Sequence, residues 1–157
     1  MTNVSIKRAF RPCWFVSMLF VLTLTGVTAH AGGLRFEAQL IWGTNDEKPP
    51  NPRLKEVGPE IRKKLAGLPL KWKKYFEVNQ KQLTVPKGGD NQVSLSEKCE
   101  IVVKHIEVDQ VEVSLISKKK NEVVMKRTQP FPKGEILVLG GNAPNSTSWL
   151  ATLKRIE

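Results

Sequence analysis

In the run LRFEAQLIW, apolar side chains fall at Leu34, Phe36, Ala38, Leu40 and Trp42, while Arg35, Glu37 and Gln39 hold the positions between them. Successive side chains of an extended chain point to opposite faces, so this alternation describes a strand with one buried face. The same period of two returns at residues 72–78, 82–85, 92–95, 98–108, 110–117, 122–128, 135–139 and 149–156. Turn-forming residues separate these stretches: Pro86-Lys87-Gly88-Gly89-Asp90-Asn91, then 118–121, 130–134 and 140–148. Such short spacing predicts a mainly β fold, a single antiparallel sandwich or partly closed barrel.

One segment has a helical period. Pro59 suits a first helical position, because its missing N–H would be unsatisfied there and its backbone angle is already set, and Gly58 can cap it. Ile61, Leu65 and Leu68 then form one apolar stripe that ends at Gly67 and Pro69, giving a short helix to lay on a sheet. Residues 43–57, polar and carrying three prolines, read as a loop.

The N-terminus has a different character. Lys7, Arg8 and Arg11 precede an apolar run from Trp14 to Leu24, and no acidic residue occurs before Glu37. The run is short of the ~20 residues that a spanning helix needs. Ala29-His30-Ala31 then offers the small side chains that a signal peptidase accepts. These features predict a secretory signal peptide over 1–31, cut between Ala31 and Gly32, and an exported periplasmic or extracellular chain with no membrane span. Val27-Thr28-Ala29 offers an earlier cut, and an uncleaved anchor is the competing reading. Cys13 precedes the apolar run instead of ending it, so it is not placed as a lipoprotein cysteine.

Residues 32–157 hold 22 basic against 15 acidic side chains, so the net charge falls from +10 for the whole chain to +7. One domain with one core is expected at this size, and no repeat is visible. Cys99 is the one cysteine left, which excludes an internal disulfide. Its alternation with Ile101 and Val103 predicts a buried thiol.

The catalytic inventory is thin. His105 is the one histidine after the leader, with Ser94, Ser96 and Asp109 near it in sequence, and no Gly-x-Ser-x-Gly elbow is present. Cys99 and His105 lie six residues apart on one expected strand, hence about 20 Å apart along it, too far for a dyad. One histidine and one cysteine cannot furnish the three or four N/S ligands of a zinc site. Asp46-Glu47 and Glu107-Val108-Asp109 lack the spacing of a calcium loop. Gly140-Gly141-Asn142-Ala143-Pro144 has no Lys-Ser/Thr of a phosphate loop and reads as a turn. Asn145-Ser146-Thr147 matches a glycosylation acceptor, relevant in a eukaryotic source. No catalytic residue, metal ligand or cofactor site is expected.

The positive signal is basic. Arg62-Lys63-Lys64, Lys71-Trp72-Lys73-Lys74-Tyr75, Lys118-Lys119-Lys120, Lys126-Arg127 and Lys154-Arg155 are clusters, and the second interleaves aromatic rings as stacking surfaces on polymers do. In a strand, Trp72 and Phe76 would face the core while Lys71, Lys73 and Tyr75 shared the exposed face, with Arg62, Lys63 and Lys64 on the preceding helix extending the patch. The competing reading is that these lysines merely solvate turns and strand edges. The stretch PEIRKKLAGLPLKWKKYFEVNQKQLTV, with the later PKGEILVLGG and a following tryptophan, resembles a group of small exported bacterial β-rich proteins to which no activity is attached. The resemblance implies export and a β-rich domain and transfers no functional residue. The expected function is a non-catalytic exported interaction module, an envelope accessory or a binder of an anionic surface, partnered by an envelope protein or an anionic polymer. The alternative is a hydrolase acting on envelope or extracellular polymers.

Overall fold

A computed structural model describes residues 32–47, 49, 51–142 and 147–157. Residues 1–31, over which a signal peptide is expected, lie outside the described residues, Ala31 among them, as does Asn145; Gly32 is the first described residue. The elements are β1 (Leu34–Thr44), β2 (Lys55–Glu56), α1 (Pro59–Ala66), β3 (Lys74–Val85), β4 (Asp90–Ser94), β5 (Cys99–Glu107), β6 (Gln110–Ser117), β7 (Glu122–Pro130), β8 (Ile136–Asn142) and β9 (Ser148–Arg155). They form two antiparallel sheets, ordered β2-β3-β1-β9-β8 and β4-β5-β6-β7. Neither sheet closes on itself, so the fold is a mainly β sandwich with one short helix and not a barrel.

The inner faces make the main core. Leu34, Phe36, Ala38 and Leu40 of β1 pack with Leu83 and Val85 of β3, Leu137 and Leu139 of β8, and Ala151 and Leu153 of β9. Ile101, Val103, Val111 and Val113 oppose them from the second sheet. Each large apolar side chain fully removed from water here contributes about 1.5–3 kcal/mol. One end of this core is tightly closed. Phe36 meets the edge of Phe131 at 5.5 Å between ring centroids, and Arg155 Nη1 donates to Asp109 Oδ1 at 2.8 Å and to the Phe131 carbonyl at 2.7 Å. Arg155 belongs to the first sheet and Asp109 to the β5–β6 turn, so this side chain ties the two layers together.

The first sheet also buries part of its outer face. Ile41, Tyr75, Ile136 and Leu150 form a second cluster with Val57 and with Ile61 and Leu65 of α1, flanked by Leu68, Leu70 and Trp72. The helix has Pro59 in its first turn and follows Gly58, as its sequence predicts, with the Arg62 N–H donating to the Gly58 carbonyl at 3.0 Å.

Several expectations change. Residues 72–78 and 82–85 are not two strands: β3 runs unbroken from Lys74 to Val85, because polar Asn79, Gln80 and Lys81 pair with Leu40, Gln39 and Ala38 of β1. The loop expected over 43–57 is shorter, since β1 continues through Thr44 and Lys55–Glu56 pairs with β3. Gly140 and Gly141 lie inside β8, not in a turn. A Cβ at Gly140 would stand 2.4 Å from Leu150 Cδ2 and 3.0 Å from the Trp149 carbonyl oxygen, so glycine there permits close packing on β9.

Candidate functional site: a basic layer over the first sheet

Residues 53–74 comprise β2, α1 and the approach to β3, and the apolar cluster beneath α1 holds this segment against the outer face of the first sheet. Its charge is uneven with respect to the rest of the chain. The segment has eight basic and two acidic residues, a net +6, which leaves fourteen basic and thirteen acidic residues elsewhere in 32–157. All but one unit of the +7 therefore resides in this layer.

The expected site residues fall into three groups. Arg62 and Lys64 are engaged: Arg62 Nη2 lies 2.5 Å from Glu56 Oε2, and Lys64 Nζ lies 2.9 Å from Glu135 Oε1. Lys154 pairs with Glu60 across the same surface. Lys63, Lys71 and Lys73 are exposed and have no acidic partner among the described residues. Beside α1 and β8 lies an open groove of about 610 Å³, lined by Lys63, Lys64, Lys154, Glu60, Leu68 and Ile136 among others.

Tyr75 corrects the expected exposed face. It is buried, and its hydroxyl donates to the Trp72 carbonyl at 2.8 Å. The strand begins at Lys74, so Trp72 precedes it and is half-buried against the outer cluster. Simple alternation fails here because the first sheet is covered on both sides: Phe76 lies opposite Trp42, and Tyr75 lies opposite Gly43. A Cβ on Gly43 would stand 2.5 Å from Ser148 Oγ and 3.3 Å from Tyr75 Cε1, so the missing side chain lets β9 approach closely and leaves room for the Tyr75 ring. The patch is thus made of lysines without the exposed tyrosine ring that the sequence placed among them.

Cys99 and His105 occupy opposite ends of β5. His105 is buried, and its Nδ1 accepts from the Gly88 N–H at 3.1 Å. Its Nε2 is buried and has no hydrogen-bond partner among the described residues. The imidazole thus pins the turn that joins β3 to β4. Cys99 is half-buried, less enclosed than its alternation predicts. Burial, and secondarily the charge of Glu100, pushes its thiol above the ordinary value, which disfavours the nucleophilic thiolate. No group of three or more His, Cys, Asp or Glu that could hold a metal ion occurs among the described residues. Comparison with family models, with curated proteins and with solved structures finds no match to this chain.

Proposed function

We propose that the chain is a non-catalytic exported interaction module that attaches to an anionic polymer through the layer formed by residues 53–74. The observation that carries this reading is the concentration of net charge, +6 in that layer against +1 in the remainder of 32–157. Charge scattered over a surface gives solubility, whereas charge gathered on one face gives a directed field toward an anionic partner. Arg62 and Lys64 are paired with acidic neighbours, while Lys63, Lys71 and Lys73, together with Arg53 and Lys55, are exposed cations left to meet a ligand.

Binding to dextran sulfate at low salt tests this. The wild-type protein is expected to bind with an affinity that falls steeply as salt rises, because lysine contacts release counterions. The triple variant Lys63→Gln, Lys71→Gln, Lys73→Gln is expected to lose most of that affinity and of its salt dependence while unfolding at the same denaturant concentration. Undetectable binding by the wild type, or equal binding by the variant, would contradict the proposal.

A further inference from the structure

The two sheets end in four outer strands, β2, β8, β4 and β7, and three of these edges are blunted. β2 is two residues long, and the length of β3 beyond it carries Asn79, Gln80 and Lys81. β4 begins at Asp90, and β7 carries Glu122, Lys126, Arg127 and Pro130. Short length, charge and proline are the features that keep an open edge from pairing with another chain. β8 lacks the last two: its sequence is ILVLGGN, with no charged residue and no proline over seven residues.

The register shows which of its backbone groups are open. The Arg155 N–H donates to the Glu135 carbonyl at 3.1 Å, and β8 and β9 continue from there without a register shift. Hydrogen-bonded and non-hydrogen-bonded pairs alternate along an antiparallel ladder. Leu137 and Leu139 therefore bond to β9, while the N–H and C=O groups of Ile136, Val138 and Gly140 point away from it. No described residue supplies a partner to these outward groups. On the outer face, Ile136 belongs to the cluster beneath α1, and half-buried Val138 packs against that cluster.

We propose that β8 pairs with β8 of a second copy of this chain, antiparallel about a two-fold axis at Val138, which joins the two first sheets into one. An open row of amides and carbonyls is satisfied by another extended strand, and this strand matches itself. With Val138 opposite its own copy, Ile136 of each chain falls opposite Gly140 of the other. All three pairs then direct their N–H and C=O groups at each other, so each exchanges two hydrogen bonds. Two chains of net positive charge meet here without like charges in register, because Ile136–Asn142 is uncharged. Lys64 of α1 pairs with Glu135 at the start of β8, so the antiparallel joint sets the two helices and their lysines at opposite ends. A single strand pair is smaller than the ~1,200–2,000 Å² of a stable complex, so the dimer depends on concentration. The joint does not use Lys63, Lys71 or Lys73 and stands independently of polymer binding.

Sedimentation and amide hydrogen exchange, the latter read by mass spectrometry at single residues, test this on the exported protein without polymer. The protein is expected to sediment as a dimer at about 500 µM and as a monomer at about 5 µM, the range of a transient contact. Over the same range the amides of Ile136, Val138 and Gly140 should slow about fivefold or more, while those on the open edge of β7 keep their rates. Val138→Lys sets two like charges on the axis and is expected to leave a monomer at the higher concentration. Val138→Pro removes the central outward N–H, spares the β9 bonds of Leu137 and Leu139, and is expected to do the same. Val124→Lys, on the exposed part of β7, should not alter association. A monomer at every concentration, or a dimer with unchanged exchange at these three amides, would overturn the assignment with no variant needed. So would a dimer that survives both Val138 substitutions.

Discussion

The first sheet is covered on both faces and the second on one, and the difference explains where the molecule keeps its charge. Near α1 the first sheet needs apolar residues at both parities, so Leu40 and Ile41 are buried in succession, as are Tyr75 and Phe76. The layer that covers its outer face carries the net +6 outward. The second sheet meets water directly, and its charges balance: residues 90–130 hold seven basic and seven acidic side chains. Lys104 stands opposite Glu112, whose Oε1 lies 2.9 Å from Lys126 Nζ. Net attraction thus belongs to an added layer, while the bare sheet face is neutralised by cross-strand pairs.

The largest expected effect breaks the face that both sheets share. Phe36→Ala removes the partner of Phe131 and leaves a cavity in the closed end, which is expected to lower the unfolding free energy by about 3–5 kcal/mol in a denaturant titration. A loss below about 1 kcal/mol would mean that the two layers are held together elsewhere.

His105→Ala acts on the connection between the sheets. It removes a buried ring that is the acceptor of the Gly88 N–H, and because Gly88 is exposed, water can take up that N–H, so a loss of about 0.5–1.5 kcal/mol is expected. Affinity for dextran sulfate should not change. Lost binding with unchanged stability would instead place His105 in the functional site.

Alkaline pH sharpens the comparison on the outer face of the first sheet. Burial raises the Tyr75 phenol above its ordinary value near 10. A raised acid holds its proton more tightly in the folded than in the unfolded chain, so this contribution is level below the unfolded value and falls as pH climbs from there through the folded one. Cys99, raised from an ordinary value of 9.0, adds a decline of the same sign that begins lower. Urea unfolding at about pH 8 and about pH 11 should therefore show lower stability at the higher pH, and Tyr75→Phe in a Cys99→Ser background should remove much of the difference. An unchanged difference would place its origin outside these two groups.

The smallest effect concerns the second sheet. Glu112→Gln removes a surface ion pair and should change stability by no more than about 0.5 kcal/mol. It leaves Lys126 without its acidic partner and should raise the affinity for dextran sulfate slightly. A large loss of stability would show that this face depends on its pairs.

The sandwich was legible where one face is buried and the other wet. In β1 the alternation from Leu34 to Leu40 reads directly as core, and β5 and β6 place Ile101, Val103, Val111 and Val113 inward as their period predicts. Alternation stops being informative where the covering layer begins, and there the period of two places Tyr75 in solvent although it is buried. The continuity of β3 was hidden because Asn79, Gln80 and Lys81 have little strand preference of their own and are held by β1. Lys63, Lys71 and Lys73 were legible as basic residues, but the acidic partners of Arg62 and Lys64 come from Glu56 and Glu135, and the latter is remote in sequence. The open edge at β8 was not legible, because which strand stands outermost is set by the order in which distant strands pair.

The division of charge between the two outer faces is tested most directly by acetylating the folded protein with and without dextran sulfate and measuring each lysine by mass spectrometry. Lys63, Lys71 and Lys73 should be protected severalfold by the polymer, while Lys104 and Lys126 on the second sheet should react at the same rate in both samples. Equal protection on the two faces, or none at Lys63, Lys71 and Lys73, would contradict a binding surface built on the layer over the first sheet.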